Sequence, residues 1–195
     1  MNETNRQVVL RSRPSGLVAD ENVELVETDV PALGDGEALV RTSLVGIDAA
    51  VRTWLDDQPG YLPPVQLGEV VRAATVGEVV ATNCEAYQVG DVVTTLGGFS
   101  DYSIARDDLY TTVMGRMSEG TAGIDRAGLL AVFGSTGATA YFGMHDIGKP
   151  QAGETVLVSA AAGATGSIAG QLAKAAGARV VGLAGSDEKC TAVVD

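Results

Sequence analysis

One stretch of twelve residues, 156–167, constrains the fold of this chain more than any other. A short apolar run, residues 156–158, leads into Ser-Ala-Ala-Ala-Gly-Ala-Thr-Gly at 159–166, and a helix-forming stretch follows over 168–176. A second run of strand-forming residues comes at 179–183. Strand, tight turn, helix and strand in this order predict a βαβ unit.

The small residues of the turn also indicate which class of ligand it binds. Aligned with the pattern G-x-G-x-x-G, residues 161–166 read Ala-Ala-Gly-Ala-Thr-Gly, with alanine in the first position. Only very small side chains let a pyrophosphate approach the backbone where a helix begins and its N–H groups point at the phosphate. The turn therefore predicts a dinucleotide site, and an ordinary glycine-rich turn is the alternative.

The end of the second strand bears on which dinucleotide is bound. An NAD site normally has an Asp or Glu there, which binds the ribose 2′-hydroxyl. This strand ends in Val-Gly-Leu-Ala-Gly-Ser at 181–186, without a carboxylate. The hydroxyl of Ser186 and the ammonium of Lys189 suit a 2′-phosphate, so NADPH is the predicted cofactor. The alternative is that Ser186 only caps a helix and Lys189 is a solvated surface residue.

Composition excludes several classes of partner. The formal net charge of −12 argues against nucleic acid and against an anionic membrane. All three lysines lie within the last 47 residues, around the glycine turn, where an anionic cofactor would bind. Two cysteines and one histidine are too few for a zinc cluster or a disulfide framework, so no metal site is predicted. Because the first residues lead into no apolar signal segment, a soluble cytoplasmic protein is expected.

The first half of the chain has the pattern of short strands separated by turns. Alternating or β-branched runs recur between glycine- and proline-containing turns, which is typical of a partly open barrel or a sandwich. In the longest run, Gly77 is predicted to form a β-bulge. The predicted strands are residues 7–11, 23–27, 37–44, 70–81, 89–96 and 99–105.

The pattern changes near residue 117. Residues 125–133 and 139–145 have helical composition and are broken by Gly-Ser-Thr-Gly at 134–137. We therefore predict an α/β protein with a β-rich domain over residues 1–130. A linking helix and the first part of a parallel-sheet nucleotide domain are predicted over 131–195.

Six stretches carry a family resemblance. They are residues 61–70, 139–143, 146–150, 152–156, 159–166 and 180–190, of which the last two are the most specific. Together they resemble the medium-chain dehydrogenase/reductase superfamily. Within it, the chain is similar to the zinc-independent, NADPH-dependent alkene reductases, the group of leukotriene B4 dehydrogenase, prostaglandin reductase and curcumin reductase. The resemblance implies a GroES-like, partly open β-barrel followed by the first βαβ unit of a Rossmann domain, a doubly wound parallel sheet.

The resemblance also implies a role for particular residues. It assigns the pyrophosphate to the glycine turn, the 2′-phosphate to Lys189, and a place near the nicotinamide to Thr139. The predicted cofactor-binding residues are Thr139, Gly163, Ala164, Thr165, Gly166, Ser186 and Lys189.

A substrate pocket is implied by residues 47–52, Ile-Asp-Ala-Ala-Val-Arg, which stand where the family has Leu-Asp-Pro-Tyr-Met-Arg. Asp48 and Arg52 are retained, whereas alanines replace the family's Pro and Tyr and suggest a wider or less polar pocket. Tyr61 is the third predicted pocket residue. The alternatives are that Asp48 and Arg52 form a structural ion pair and that Tyr61 packs against the prolines that follow it.

The implied reaction is reduction of the C=C bond of an α,β-unsaturated ketone or aldehyde by NADPH, without a metal. The family's alcohol dehydrogenases bind zinc through Cys and His, and neither residue type occurs around Asp48 or at 68–69. Reduction of quinones on the same fold is one alternative, and a non-catalytic nucleotide-binding protein is another.

No residue of the chain is predicted to be the catalytic acid. Only the first two strands of a six-stranded nucleotide sheet are expected here, so the chain looks C-terminally truncated and the catalytic group is expected beyond residue 195. A second copy of the chain, in a homodimer, is a candidate partner that could cover the open sheet edge.

Overall fold

The computed structural model describes residues 4–108, 110–116 and 125–194. The chain divides into two compact units, Met1–Leu130 and Ala131–Asp195, called unit 1 and unit 2 below. The change of sequence pattern near residue 117 lies outside the described residues.

The described residues of unit 1 include seven strands, a short 3-10 helix (Asp20–Asn22) and a short α-helix. Strands β1 and β2 form an antiparallel hairpin, and the other five form an antiparallel sheet in the order β6-β3-β4-β5-β7. The strands are β1 (Thr4–Leu10), β2 (Val23–Asp29), β3 (Glu37–Val45), β4 (Thr75–Thr82), β5 (Asp91–Thr95), β6 (Tyr102–Arg106) and β7 (Thr112–Arg116). Helix α1 (Ala49–Trp54) connects β3 to the segment that precedes β4.

The predicted strand over 70–81 was wrong in its first part. Residues 70 and 71 pair with β1, since Val70 bridges Val9 and the N–H of Val71 donates to Val8 O at 2.8 Å. The five-stranded sheet begins only at Thr75. The extended run is therefore divided between two sheets, which a single-strand periodicity cannot indicate. Strand β7 and helix α1 were not predicted.

The pairing of β3 with β4 is irregular beside Gly77, as predicted, but Gly77 is not the extra residue. Gly77 lies opposite Thr42, and at the register shift next to this pair the residue without an opposite is Ser43 of β3. A Cβ on Gly77 would lie 2.6 Å from Arg41 O and against the Val40 side chain. The glycine is needed for a close approach between strands and does not mark an extra residue.

Large side chains fill the interior of unit 1. On one side of the sheet, Val40, Val79 and Val93 pack with Tyr87. A separate cluster around α1 joins β1 to the segment before β4 and consists of Leu10, Trp54, Leu55, Val65 and Val71. This second cluster positions α1 against the hairpin.

Unit 2 contains two short parallel strands and the helices around them. Its elements are α3 (Ser135–Phe142), a π-helical segment (Gly143–Gly148), β8 (Thr155–Val158), α4 (Ala164–Ala175), β9 (Arg179–Gly182) and α5 (Asp187–Val194). Helix α2 (Arg126–Val132) spans the boundary between the units. Strands β8 and β9 pair in parallel, with Val158 opposite Gly182. The predicted strand–turn–helix–strand order is confirmed.

The predicted break between two helices is present, but it covers residues 133–134 and not 134–137. Gly134 is the N-cap of α3, so Ser135 to Gly137 form its first turn. A Cβ on Gly137 would lie 2.9 Å from Val132 Cα. The glycine therefore permits α3 to begin against the end of α2 instead of ending a helix.

Candidate cofactor and substrate sites

The glycine turn leaves the carboxyl end of β8 and opens directly into α4. Gly163 is the N-cap of the helix, and no side chain caps it. The N–H groups of the first helical turn have no acceptor within the helix, and their partial positive charge attracts anions. Residues 163–165 are exposed. The turn thus offers backbone donors to an anion without a side chain in the way.

Close backbone contacts explain the small residues of this turn. A Cβ on Gly166 would lie 2.9 Å from Ala160 C and 3.0 Å from Ala161 Cα, so no other residue fits without a shift. Ala160 adopts a left-handed conformation with φ of 48°, which is uncommon for a residue other than glycine. The N–H of Gly163 donates to Ala160 O at 2.8 Å and closes the turn.

The second strand ends beside the turn. The N–H of Ala161 donates to Leu183 O at 2.9 Å, which ties the glycine turn to the residues that follow β9. Ser186 Oγ accepts a hydrogen bond from the N–H of Lys189 at 3.3 Å, so Ser186 caps the helix that follows β9, and a second role at a 2′-phosphate stays a prediction. The side chain of Lys189 is exposed and has no ion-pair partner among the residues that the structure describes.

Thr139 lies on α3, in the same unit as the glycine turn. Its hydroxyl donates to Ser135 O at 2.7 Å. The residue is exposed. Helix α3 packs against α4, so α3 and the glycine turn belong to one packed group of elements. Whether Thr139 approaches a nicotinamide stays a prediction.

Asp48 and Arg52 lie on α1 of unit 1 but do not pair with each other. Asp48 Oδ1 accepts the N–H of Ala50 at 2.7 Å and caps the helix. Arg52 Nη1 instead lies 2.7 Å from Asp56 Oδ1. The alternative of an Asp48–Arg52 ion pair was therefore wrong, because the N-cap and the next turn of α1 use the two side chains separately.

Tyr61 packs edge-on against Trp54, with ring centroids 6.1 Å apart, yet it is 75% exposed. Trp54 is buried, and the Arg72 guanidinium lies over its ring at 5.7 Å. The indole N–H of Trp54 has no hydrogen-bond partner among the described residues. Sequence spacing did not indicate this contact of Tyr61 with Trp54.

The predicted site residues therefore fall into two groups. The glycine turn follows β8, Ser186 and Lys189 follow the paired strand β9, and Thr139 lies on α3, which packs against α4 of the same unit. Asp48, Arg52 and Tyr61 belong to unit 1. Over the described ranges, no group of three or more His, Cys, Asp or Glu is placed to bind a metal ion. No described helix is long and apolar enough to cross a membrane.

A family model matches this arrangement. Residues 6–113 match the model described as the N-terminal domain of oxidoreductase. The chain belongs to this oxidoreductase family. Its β-rich unit is the matched part, while the glycine turn lies outside the match. The predicted fold class, a partly open β domain of medium-chain dehydrogenase/reductase type followed by the start of a Rossmann domain, is confirmed.

Similar proteins indicate to which group of this oxidoreductase family the chain belongs. The chain is 42% identical over 189 residues to the NADPH-dependent curcumin reductase of Escherichia coli, covering 96% of this chain and 53% of that protein. It is 36% identical over 180 residues to mouse prostaglandin reductase 1, covering 92% and 52%. The chain thus spans about half the length of these relatives. The predicted membership of the curcumin and prostaglandin reductase group is confirmed.

Solved structures of similar proteins support the same group. The crystal structure of CurA from Vibrio vulnificus superposes with a TM-score of 0.86 at 37% identity, covering 98% of this chain and 55% of that one. The same protein has been crystallised in complex with NADPH, with a TM-score of 0.85. The predicted cofactor is thus the one bound by this relative and named for the E. coli enzyme.

Proposed function

We propose that this chain binds NADPH through unit 2 and serves an oxidoreductase that reduces the C=C bond of α,β-unsaturated ketones or aldehydes without a metal ion. The observation that carries the proposal is the glycine turn between β8 and α4, with Lys189 in the first turn of the helix that follows the paired strand β9. Relatives named as curcumin and prostaglandin reductases support the same chemistry.

The residues of unit 2 fit the phosphates of NADPH. Residues 163–165 are exposed and no side chain caps α4, so the backbone of the turn is open to a pyrophosphate and the α4 N-terminus supplies N–H donors. Residues 183–186 contain no carboxylate that would repel a 2′-phosphate. The ammonium of Lys189 would bind that phosphate, and the Ser186 hydroxyl would donate to it.

When bound, NADPH supplies a hydride from its nicotinamide ring to the β-carbon of the substrate. The contribution of this chain is orientation. The turn and Lys189 would hold the charged end of the cofactor, and holding the cofactor in one orientation lowers the entropic part of the barrier. We assign no residue of this chain as the acid that protonates the α-carbon.

The remaining predictions belong to the same proposal. They are the division of labour between a substrate domain over 1–130 and a cofactor domain over 131–195, a cytoplasmic location and a homodimer. The large acidic charge supports small-molecule substrates over nucleic acid or an anionic membrane.

Loss of NADPH absorbance on addition of an enone tests the reaction. We expect turnover with an enone that exceeds turnover with a quinone of similar size. Binding of NADPH without turnover of either substrate would contradict the proposed reaction and favour a nucleotide-binding role.

Replacement of Lys189 tests the cofactor site. We expect Lys189→Ala to weaken NADPH binding by about tenfold or more and to leave NADH binding nearly unchanged, because only NADPH has the 2′-phosphate. Lys174→Ala is the matched control, since Lys174 is an exposed lysine at the opposite end of α4. Equal losses in the two variants would show a nonspecific charge effect and contradict the assignment.

A further inference from the structure

We propose that a groove in unit 1 binds a neutral carbonyl compound with an apolar body. The groove lies between the β1–β2 hairpin and the end of β3 and has a volume of about 300 Å³. Sites for small molecules in proteins have volumes of roughly 300–1,000 Å³, so the groove is large enough for a small ligand. All of its lining residues belong to unit 1, whereas the predicted cofactor-binding residues belong to unit 2.

The groove exists because two neighbouring segments of the chain pair with different strands. Strand β6 pairs with β3 as far as Arg41. The segment just before β6 pairs with β1 instead, since the N–H of Asp101 donates to Arg6 O at 3.0 Å. In the described part of the chain, residues 43–45 of β3 therefore have a paired strand on the β4 side alone. The groove lies along this unpaired side of β3.

Apolar side chains line the groove from both the hairpin and β3. Val8 of β1 and Leu25 of β2 stand opposite each other in the hairpin, so their side chains lie on the same face. Leu44 lines the groove from β3, together with Val45 and Phe99. Leu25 is 67% exposed and Leu44 is 37% exposed. Exposed apolar residues that line one cavity indicate a binding surface, whereas single exposed leucines would not.

The hydroxyl groups of the groove are already used by the protein or are closed to a ligand. Ser43 Oγ donates to a backbone carbonyl of β4 at 2.8 Å, and Ser100 Oγ donates to one of β6 at 2.6 Å. Thr42 Oγ1 has no partner among the described residues, but it is buried. These three side chains therefore offer no accessible proton to a ligand.

The ion pair of Arg6 and Asp101 determines which polar group the ligand carries. Arg6 donates to Asp101 from Nε at 2.7 Å and from Nη2 at 3.2 Å, while Nη1 has no hydrogen-bond partner among the described residues. Because Asp101 offsets the charge of Arg6 and would repel an anion, a carboxylate ligand gains little here. A neutral carbonyl oxygen can accept from Nη1 without this cost. Enones belong to this class of compound, so the groove also suits the substrates of the proposed function.

Benzylacetone, a saturated ketone with a phenyl group, is a suitable probe because it has no C=C bond that NADPH could reduce. Methyl NMR spectra of the whole chain with labelled leucines measure its binding at individual residues. We expect benzylacetone to shift the methyl signals of Leu25 and Leu44. The signal of Leu67, which is 59% exposed and lies outside the groove, should not move.

Two further ligands test the polar part of the site. Hydrocinnamate replaces the ketone by a carboxylate, and butylbenzene lacks the oxygen. Each should bind about fivefold or more weakly than benzylacetone, because neither presents a neutral acceptor to Arg6. Arg6→Met should weaken binding of benzylacetone and leave binding of butylbenzene unchanged. Arg11→Met is the matched control, since Arg11 is a similarly exposed arginine that does not line the groove.

Substitution of leucine tests the apolar part of the site. Leu25→Ser should raise the Kd for benzylacetone about fivefold, because it removes part of the apolar lining. Leu67→Ser should leave the Kd unchanged. Leu44→Ser, on the β3 side of the groove, should weaken binding in the same way and provides a second variant if Leu25→Ser does not fold.

The outcomes are independent of the proposed reaction. If benzylacetone binds with the expected dependence on Leu25 and Arg6 but no enone is reduced, the groove is a carbonyl site and the proposed reaction fails. Equal shifts at Leu67 and at the two groove leucines would overturn the site, whether or not enones are reduced. Equal Kd values for the three ligands would overturn it as a carbonyl site.

Discussion

The hydrophobic cores of units 1 and 2 are built from different kinds of side chain. The hydrophobic clusters of unit 1 contain valine, leucine, tryptophan and tyrosine, several of them with no exposed surface. In unit 2 the buried apolar residues are small, and among those described they are Ala140, Val158, Ala161, Ala173 and Ala178. Unit 1 is therefore stabilised mainly by burial of large apolar groups, whereas unit 2 depends on close backbone packing.

The small residues of unit 2 are related to the geometry of its glycine turn. Unit 2 needs small residues because a helix must begin directly against a strand end, and Gly166 and Gly182 both lie where a Cβ would meet neighbouring atoms. This packing leaves Leu157 and Leu183 largely exposed. In the sheet of unit 1 such a close approach occurs at Gly77, but the buried residues around it are mostly bulkier. Substitutions should therefore affect the two units through different mechanisms.

The largest effect is expected from a cavity in unit 1. Leu55 is fully buried between Trp54 and Val65, so Leu55→Ala should destabilise unit 1 by about 2–5 kcal/mol. Urea unfolding followed by Trp54 fluorescence measures this loss. Leu67→Ala, at an exposed leucine, should change the midpoint little. A small effect at Leu55 would show that the cluster can collapse around the cavity.

The next largest effect is expected from added volume in unit 2. Gly166→Ala places a methyl group against the Ala160 carbonyl and should cost about 1–3 kcal/mol locally, with weaker NADPH binding. Hydrogen exchange of the α4 amides measures the local loss. Gly143→Ala is the control, because no atom lies within 4 Å of its Cβ position. If the unfolding free energy measured by Trp54 fluorescence falls as much as the opening free energy measured by α4 hydrogen exchange, the two units unfold together. In that case the comparison fails.

A smaller effect is expected from a buried hydroxyl in unit 1. Tyr87 donates to Arg106 O at 2.6 Å, and its pKa is raised, chiefly because burial disfavours the phenolate. Tyr87→Phe should cost about 1 kcal/mol at pH 7 by removing this hydrogen bond.

The pH dependence of Tyr87 follows from its raised pKa. Its stabilisation should be complete below the ordinary tyrosine pKa of about 10 and decline as pH rises through the higher native value. Thermal unfolding of the parent and of Tyr87→Phe between pH 7 and pH 11 measures this. The exposed Tyr110 provides a control, since Tyr110→Phe should show neither effect.

The smallest effect is expected from the surface ion pair between Arg6 of β1 and Asp101, the residue before β6. Arg6 bonds both carboxylate oxygens of Asp101, at 2.7 and 3.2 Å, and this bonding lowers the pKa of Asp101. The contribution should be present above pH 4 and be lost as pH falls through the lowered value. Asp101→Asn should therefore reduce the melting temperature slightly at pH 7, and the difference should shrink below about pH 3. Asp29→Asn should show no such convergence.

Several features of the fold could be predicted from sequence because they depend on neighbouring residues. The glycine turn, the strands on either side of it and the cap at Ser186 each occupy a few consecutive positions, and their residue types report local backbone requirements. The strand starts at Val23 and Glu37 were likewise predicted correctly.

Other features depended on segments distant in sequence. Gly77 was interpreted as a bulge because its reason, the approach of Arg41 on the paired strand, is invisible in its own strand. The contact of Tyr61 with Trp54 was missed for the same reason, since Tyr61 lies on an irregular segment without a repeating pattern.

The sequence by itself predicted the kind of cofactor, because small residues after a strand and a carboxylate-free strand end are local requirements of a phosphate. Only the tertiary structure decided the role of Arg52. The residue type permits substrate binding, loop anchoring or a surface ion pair equally. Its acceptors, Pro14 O and Gly16 O, approach it only when the chain folds, since they lie 38 and 36 residues away. Hydrogen-bond partners at such separations follow from packing and not from local pattern.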